Sequence, residues 1–519
     1  MKPFLLTERY DDNLQRKISN ENELIEDLNL QIIFNAMARE DNFLYNTAKS
    51  VVLNSLTDIG TIIYRQNVLK DCLNNRSVIN KIYDIATTTL EEAAYYRQYT
   101  QPNYAKIISP SVKVMNSVGL LEILVVKLEK LRALIRLSEK NFHSKGLITF
   151  CNKQTAFLTD EFFERVNQHI TELNSISEGG NIKIGSGIGN GMKGTGHILR
   201  KITTRSSKTN SIRKSWGKHI NNVINLNNIS LANSAREIED AGLFHILRLI
   251  NHFNNGIIDF LESLRYEIGF YFGCINLYSV LKDLNAEVSF PVPDKINKRN
   301  LVFKGLFDLS LSISGKKMPV SNDLDAVDKK IFMITGANQG GKSTYLRSIG
   351  IAQILMQCGL FVPANFYRAN VCDSIFTHFT KEEDINMNSG KLDEELQRIN
   401  DIVNNITNNS LLLLNEPFAT TTEREGTRIA MDIIAALYEH NVKILFVTHL
   451  FELSNFIYKQ NLRMAIFLRA ERNQNGSRSF CIKVGEPLET SYGEDLFNST
   501  IGELRIDLSA SSDGGDYGA

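Results

Sequence analysis

The clearest chemical motif in the chain is 331-IFMITGANQGGKSTYL. It contains Gly336, four intervening residues and then Gly341-Lys342-Ser343, which is the GxxxxGK[ST] pattern of a phosphate-binding loop. Glycines let backbone amides turn toward phosphate oxygens, the lysine reaches the β and γ phosphates, and the serine hydroxyl can ligate magnesium. We therefore predict nucleotide binding. The predicted contacts are Gly336, Ala337, Asn338, Gln339, Gly340, Gly341, Lys342, Ser343 and Thr344.

A second apolar run, 411-LLLL, leads to Asn415 and Glu416. Phosphate-binding-loop enzymes usually have Asp-Glu at this place, where the aspartate supports magnesium and the glutamate polarises the attacking water. Asn415 can accept a hydrogen bond from magnesium-bound water, but it brings no negative charge. We predict Ser343 and Asn415 as metal positions and Glu416 as the general base. A glutamate that merely caps a strand is the alternative.

A third apolar run, 444-ILFV, is followed closely by His449, which could contact the γ phosphate or the attacking water. A lone histidine is more often structural, but its place after a buried strand favours a catalytic role. Together with 465-AIFL, the three runs alternate with helix-like stretches. This alternation predicts a mainly parallel α/β sheet after residue 286.

The chain before residue 286 has a different pattern. No proline occurs between residues 111 and 290, so long helices are permitted there. A 3-4-3-4 spacing of apolar residues indicates either the a/d seam of a coiled coil or helix bundle, or an ordinary buried amphipathic helix. The seam consists of Leu121, Leu124, Leu128, Leu131 and Ile135. Residues 1–285 are therefore predicted to be mainly helical.

A glycine-rich, basic segment at 179–218 interrupts the helices. Eight glycines lie between 179 and 196, and nine basic residues with no acidic one lie between Ile182 and Lys218. We expect a loop or hairpin tip that binds nucleic-acid phosphates, with a disordered basic insertion as the alternative. Trp216 either packs or stacks on a base. The predicted nucleic-acid contacts are Lys193, Arg200, Lys201, Arg205, Lys208, Arg213 and Lys214.

Overall composition limits the class of protein. The 519 residues carry 58 basic and 58 acidic side chains, for a formal net charge of +0, which excludes a uniformly basic coat protein. Six scattered cysteines without a CxxC pair argue against a disulfide framework or zinc ribbon. No signal-peptide pattern or long apolar run occurs, so we expect a cytoplasmic protein that does not enter a membrane. Residues 506–519 are predicted to be a disordered tail.

The ordered motifs resemble those of the MutS family. They are TGANQGGKSTYLRSIG, LFVPA, SIFTHF, LLLLNEPFATTTEREGT, FVTHLFELS and TSYGEDL, in this order between residues 331 and 497. Two upstream stretches, 27-DLNLQIIFNAMA and 57-TDIGTIIYRQNVLKDCL, are similar to the family's helical core. The resemblance implies an α plus α/β fold: a core and lever domain at 1–285 with a clamp-like tip near 179–218, then an ABC-type ATPase domain at 286–505.

The resemblance also implies a mechanism. It implies ATP and Mg²⁺ as ligands, double-stranded DNA as a partner, and a homodimer formed through the ATPase domains. Each site is completed by a segment of the opposite subunit, which in this chain looks like 386-NMNSGKLDEEL. Ser389 and Gly390 would begin a helix there and face the partner's γ phosphate. We thus expect a DNA-binding ATPase of mismatch repair or recombination, whose heads close on ATP and drive a clamp.

The chain departs from the family pattern at its start. The core-like pattern begins by about residue 25, so we expect no N-terminal mismatch-recognition domain, and branched or distorted DNA becomes a candidate substrate. Two alternatives remain open at this point. One is a clamp on structured RNA or ribosomes, and the other is a nucleotide-gated structural clamp in which Asn415 makes hydrolysis slow or absent.

Overall fold

A computed structural model gives the fold and describes residues 2–8, 20–100, 110–177, 181–190, 194–203, 229–337, 339–380, 390–419, 421–472 and 478–487. The chain divides into two compact units. The first comprises Met1–Tyr10 and Asn67–Ile275, and the second comprises Asp11–Gln66 and Asn276–Ala519. In the part that is described, no helix is both long and apolar enough to span a bilayer.

The first half of the chain forms helices and one hairpin. Their bounds are α1 (Glu21–Asp27), α2 (Leu30–Ala38), α3 (Asn42–Leu53), α4 (Ile59–Asn74), α5 (Arg76–Thr100), α6 (Pro110–Ser138), a short 3-10 helix (Glu139–Asn141), α7 (Lys145–Phe157), α8 (Asp160–Ser177), β1 (Asn181–Ile188), β2 (Gly194–Thr203) and α9 (Ile229–Asp283). Side-chain caps define several starts. Asp41 accepts from the backbone N–H of Phe43 and Leu44, and Ser144 accepts from that of Leu147.

Helix α6 carries the predicted apolar seam. All five seam residues are at most 5% exposed. The helix packs against α5, α7 and α8 rather than along one partner. Burial against three neighbours is the arrangement of an ordinary core helix, so the seam belongs to a helical bundle and not to a two-stranded coiled coil.

The glycine-rich segment contains a β-hairpin, as its composition predicted. Strands β1 and β2 pair antiparallel from Asn181 opposite Thr203 to Ile188 opposite Gly194. The hairpin rests on α9 within the first unit: a Cβ atom on Gly242 would lie only 3.0 Å from Cδ1 of Ile184. The absence of a side chain at this position of α9 is what admits the isoleucine.

The second half of the chain contains the sheets. The elements are β3 (Val292–Asp294), β4 (Leu301–Leu306), α10 (Leu309–Gly315), β5 (Asn322–Ala326), β6 (Ile331–Thr335), α11 (Lys342–Gln357), β7 (Phe366–Asn370), β8 (Ile375–Phe379), α12 (Lys391–Asn405), β9 (Leu411–Asn415), α13 (Glu423–Glu439), β10 (Lys443–Val447), α14 (Phe451–Lys459), β11 (Ala465–Arg472) and β12 (Arg478–Val484). The four predicted strands correspond to β6, β9, β10 and β11.

Two sheets result. The larger has the strand order β12-β11-β6-β10-β9-β8, in which β12 alone runs antiparallel to its neighbour. The smaller has the order β3-β7-β4-β5. Strands β6 and β10 are buried along their whole length, as central strands covered on both faces should be. The prediction of helices combined with a mainly parallel sheet is confirmed.

The second unit also includes residues 11–66, which differs from the predicted boundary at 285. The reason is visible in the contacts of helix α11 and strand β8. The Asn20 side chain donates to the carbonyl of Ile375 over 2.9 Å, and the Gln357 side chain donates to that of Leu56 over 3.0 Å. Gly350 leaves space for Leu28. These partners are hundreds of residues apart, so no local pattern indicates the pairing.

Candidate functional site

Three parallel strands bring the predicted residues to one edge of the large sheet. Strand β10 pairs with β6 on one side and with β9 on the other. The carboxyl ends of parallel strands meet at the same edge, where open α/β sheets bind their ligands. The loop after β6, the Asn415–Glu416 pair at the end of β9, and Thr448–His449 after β10 all follow such carboxyl ends.

Two glycines of the loop have positive φ angles, which other residues rarely adopt. Gly336 has a φ of 116° and Gly341 has a φ of 92°. Gly340 is constrained by space instead: a Cβ atom there would lie 2.9 Å from the carbonyl oxygen of Ala337 and 2.9 Å from Cβ of Ala470. Gly341 is the N-cap of α11, so the loop ends at a helix N-terminus whose free N–H groups attract anions.

Lys342 lies buried beneath this loop, with 4% of its surface exposed. Its ammonium group donates to the carbonyls of Gly336 and Ala337 over 2.8 and 3.2 Å. It also lies 3.5 Å from a carboxylate oxygen of Glu416. Burial lowers the pKa of Lys342, and the nearby carboxylate opposes that effect. The loop thus holds a buried lysine side chain against its own carbonyl oxygens and close to the Glu416 carboxylate.

The two predicted metal positions are in contact. The Ser343 hydroxyl donates to Oδ1 of Asn415 over 2.9 Å. Within the described residues, no group of three or more His, Cys, Asp or Glu side chains is arranged to hold a metal. Two neutral oxygen ligands nevertheless suit Mg²⁺, which keeps several waters and takes its other ligands from substrate phosphates. The residues therefore fit a magnesium ion that arrives together with a nucleotide.

Glu416 has an unusual backbone conformation. Its φ is 52°, in the left-handed region that a non-glycine residue occupies at a cost on the order of 1 kcal/mol. Its N–H donates to the carbonyl of Val447 over 2.9 Å. The side chain, 30% exposed, is turned toward Lys342. Strain held in place by surrounding hydrogen bonds is common at functional sites, so this conformation supports the predicted catalytic position.

A cavity of about 530 Å³ lies against the loop. Its lining includes the loop and helix residues Gln339, Gly340, Gly341, Lys342, Ser343 and Thr344, together with Glu416. Apolar residues also line it, among them Leu311, Met318, Pro319, Val320 and Phe480. Its size suits a nucleotide, with polar groups for the phosphates and apolar side chains for a flat base.

The sequence did not indicate most of the apolar residues that line the cavity. Residues 317–320 lie in the irregular segment before β5, and Phe480 lies on the antiparallel strand β12. The Phe480 ring approaches to 3.6 Å from the position of a Cβ on Gly341. The Arg478 side chain donates to Oε1 of Gln339 over 2.5 Å. No local pattern in the sequence marks these long-range contacts.

The remaining predicted residues are placed less fully. His449 is exposed and does not line the cavity, so its role stays a prediction. Gly390 is exposed and is the N-cap of α12, so it lies at the start of a helix, where it was expected. Asn338 and Ser389 lie outside the described residues.

The predicted nucleic-acid contacts are described only in part. Arg200 and Lys201 lie in β2, but the orientation of their side chains is not described. Lys193, Arg205, Lys208, Arg213, Lys214 and Trp216 lie outside the described residues, as do 506–519. The described end of the hairpin exposes apolar surface, with Ile188 81% exposed.

Comparison with known proteins decides the family. The family model described as "MutS2 N-terminal domain" matches residues 57–284, and the one described as "MutS domain V" matches residues 332–498. The chain belongs to the MutS family. The domain V match begins inside β6 and contains the loop, the Ser343–Asn415 contact and Glu416. The MutS2 N-terminal match contains the hairpin and the whole of α9.

Curated MutS-family relatives are similar over shorter stretches. The DNA mismatch repair protein MutS of Clostridium kluyveri is 30% identical over 176 residues, 33% of this chain and 19% of that protein. The MutS of Clostridium novyi is 38% identical over 141 residues, 26% of this chain and 16% of that protein. The MutS of Streptococcus pneumoniae Hungary19A-6 is 30% identical over 214 residues, which are 40% of this chain and 25% of that protein. The chain thus spans a quarter or less of these relatives' length.

Proposed function

We propose that this chain is an ATP-dependent DNA-binding protein of the MutS type, acting in mismatch repair or recombination. The observation that carries the proposal is that Lys342, Ser343 and Glu416 line one cavity, with Asn415 hydrogen-bonded to Ser343 beside it. Membership of the MutS family, whose domain V is the ATPase region, supports the same conclusion. The relatives are named as DNA mismatch repair proteins, which supports DNA as the partner.

The proposed reaction is hydrolysis of ATP at this cavity. The triphosphate lies along the loop and the N-terminus of α11, and Lys342 exchanges the carbonyls of Gly336 and Ala337 for phosphate oxygens. The base occupies the apolar part of the cavity beside Met318 and Pro319. Bound Mg²⁺ neutralises developing charge on the phosphates, and Ser343 and Asn415 are the residues that would hold it.

Glu416 is the proposed general base. In the structure its carboxylate faces the Lys342 ammonium. Once the ammonium turns to the phosphates, the carboxylate is left to accept a proton from the attacking water. His449 is proposed to contact the γ phosphate or this water. Gly390 and Ser389 are proposed to complete the site of a second copy, so that ATP binding closes a homodimer and drives a clamp on DNA.

Steady-state ATP hydrolysis by the purified chain tests the enzyme. We expect Glu416→Gln to lower turnover by about a hundredfold or more while leaving ATP affinity within a few-fold of wild type, because a general base contributes little to binding. Glu439→Gln, at an exposed glutamate of α13, is the matched control and should be neutral. Equal turnover in wild type and Glu416→Gln would refute the assignment.

One observation favours a second function. Asn415 brings no charge to the metal position, and its Oδ1 is already engaged by Ser343. A weakly bound metal would slow hydrolysis. The chain would then act as a nucleotide-gated structural clamp with little hydrolysis. ATP-dependent dimerisation without measurable turnover would support this function instead. Binding assays with homoduplex, mismatched duplex, a four-way junction and structured RNA, each with and without ATP, separate the DNA proposal from the RNA alternative.

A further inference from the structure

The hydroxyl of Thr380 holds the backbone of both residues of the proposed catalytic pair. Its Oγ1 lies 3.0 Å from the carbonyl oxygen of Asn415 and 2.8 Å from that of Glu416, so its single O–H is shared between the two carbonyls. The Thr380 N–H also faces the Asn415 carbonyl, over 3.3 Å. Thr380 directly follows the last residue of β8, the neighbour of β9 in the sheet.

These bonds fix the two residues at the point where the backbone is strained. Glu416 is held from one side by the Val447 carbonyl, which receives its N–H, and from the other by the Thr380 hydroxyl. These two hydrogen bonds flank the backbone position at which φ is 52°. Loss of the hydroxyl would leave the Glu416 carbonyl without this donor and the Asn415 carbonyl with the Thr380 N–H alone, and would let the turn relax.

The residue before Thr380 is tied to helix α12. Nη1 of Arg398 donates to the carbonyl of Phe379 over 3.1 Å. Gly390, the N-cap of that helix, follows Thr380 by ten positions in the chain. Phe379 and Thr380 therefore join α12 to the Asn415–Glu416 turn through two consecutive hydrogen-bonded residues.

We propose that Thr380 is a positioning residue for Asn415 and Glu416, and that with Arg398 it couples their placement to helix α12. The inference rests on the proposed function, since it assigns Thr380 to that site. Thr380 does not touch substrate; it acts by holding the carbonyls of the two residues that do. Its hydroxyl, rather than its bulk, is the group that matters.

The test compares variants at position 380 that keep or lack this hydroxyl. Thr380→Val removes it at nearly constant shape, Thr380→Ser keeps it, and Thr380→Ala provides a second variant without it. Thr377→Val is the matched control, because within the described residues the buried Thr377 hydroxyl has no hydrogen-bond partner. Thermal unfolding checks that each variant is folded. The readouts are ATP turnover, ATP affinity and the gain in ATP affinity on adding Mg²⁺.

We expect Thr380→Val to lower turnover by about tenfold or more with ATP affinity within about threefold, since a small misplacement of a catalytic group costs rate before binding. The Mg²⁺-dependent gain should also shrink, and Thr380→Ser should restore both. Normal turnover in both hydroxyl-less variants overturns the proposal, as does a serine variant as impaired as the valine one. ATP affinity falling in parallel with turnover also overturns it.

A wild type without turnover refutes the proposed hydrolysis, and the Mg²⁺-dependent gain then decides the role of Thr380. A smaller gain in Thr380→Val supports the positioning of Asn415, whereas an unchanged gain overturns it. A wild type with neither turnover nor a Mg²⁺-dependent gain overturns both proposals.

Discussion

The Ser343 hydroxyl donates a 2.9 Å hydrogen bond to Oδ1 of Asn415, joining the start of helix α11 to the end of strand β9. The serine follows the phosphate-loop lysine, and the asparagine stands where an aspartate is usual in this class of site. The bond places the Asn415 amide oxygen beside the Ser343 hydroxyl. An aspartate side chain has the same size and would present a carboxylate oxygen there, so the substitution chiefly adds a negative charge.

Restoring the carboxylate should strengthen metal binding. We expect Asn415→Asp to raise the affinity of the nucleotide complex for Mg²⁺ by about tenfold, because affinity for hard cations rises with the charge of the ligand set. Without Mg²⁺ the variant should be less stable than wild type, since the new carboxylate adjoins Glu416. Mg²⁺ titrations of ATP binding and thermal unfolding with and without Mg²⁺ measure the two effects.

The exposed Asn400 of α12 offers a control for added charge alone. Asn400→Asp should leave the Mg²⁺ dependence at its wild-type value. An Asn415→Asp variant with unchanged Mg²⁺ affinity would mean that residue 415 does not face the ion.

Lys342 should be needed for binding as well as for turnover. We expect Lys342→Met to weaken ATP affinity by about tenfold to a hundredfold, equivalent to the 1.5–3 kcal/mol of a hydrogen bond to a charged group. The methionine fills the same buried space, so the loop should stay folded. Isothermal titration with ATP measures the loss, and Lys304→Met, at an exposed lysine of β4, is the control. Equal affinity in the two variants would contradict the phosphate-binding role.

Local sequence patterns predicted the residues of the site that lie at the carboxyl edge of the large sheet. Glycine spacing indicated the loop, and three apolar runs indicated parallel strands, whose carboxyl ends meet by topology. Lys342, Ser343, Asn415 and Glu416 therefore converge as expected. Thr380 was not found, because its role depends on β8 lying beside β9, and hydrogen bonds between distant segments leave no periodic trace.

The same limit applies to the organisation of the fold. Residues 11–66 belong with the second unit through side-chain bonds such as that of Asn20 to Ile375. The resemblance of 27-DLNLQIIFNAMA and 57-TDIGTIIYRQNVLKDCL to the family's helical core indicated helices in this region but carried no information about which unit they cover. Periodicity predicts the element and its buried face, while the partner of that face is a tertiary property.

Lys443 should make stability depend on pH in the alkaline range. It is fully buried on β10, where its ammonium donates to the Asn300 carbonyl over 3.0 Å and to the Asn370 side chain. Burial lowers the pKa of Lys443 to about 8, against an opposing effect of Cys372. Between pH 8 and pH 10.5, Lys443 is mostly protonated in the unfolded chain and mostly neutral in the folded chain. The free energy of unfolding therefore rises with pH over this range.

The measurement compares wild type with Lys443→Met. The free energy of unfolding of wild type, relative to that variant, should rise by about 2 kcal/mol from pH 8 to pH 10, because each unit of pH over which one more proton is bound in the unfolded chain is worth about 1.4 kcal/mol. The lost hydrogen bonds add an offset that does not vary with pH over this range. Chemical denaturation at three pH values gives the trend, with Lys304→Met as the reference for an exposed lysine. A flat or falling difference would contradict a lowered pKa.

The glycine-rich, basic segment at 179–218 should account for much of the salt dependence of DNA binding. Replacing Arg200, Lys201 and Arg205 with glutamine removes up to three phosphate contacts, so the slope of log affinity against log salt should become shallower by up to about 2.7. Affinity should fall alike for homoduplex, mismatched duplex and junction, because phosphate contacts position DNA without specifying sequence. The control replaces three exposed lysines of the first unit, Lys113, Lys130 and Lys140. An unchanged slope in the triple variant of the basic segment, or an equal change in the control, would show that this segment does not contact DNA.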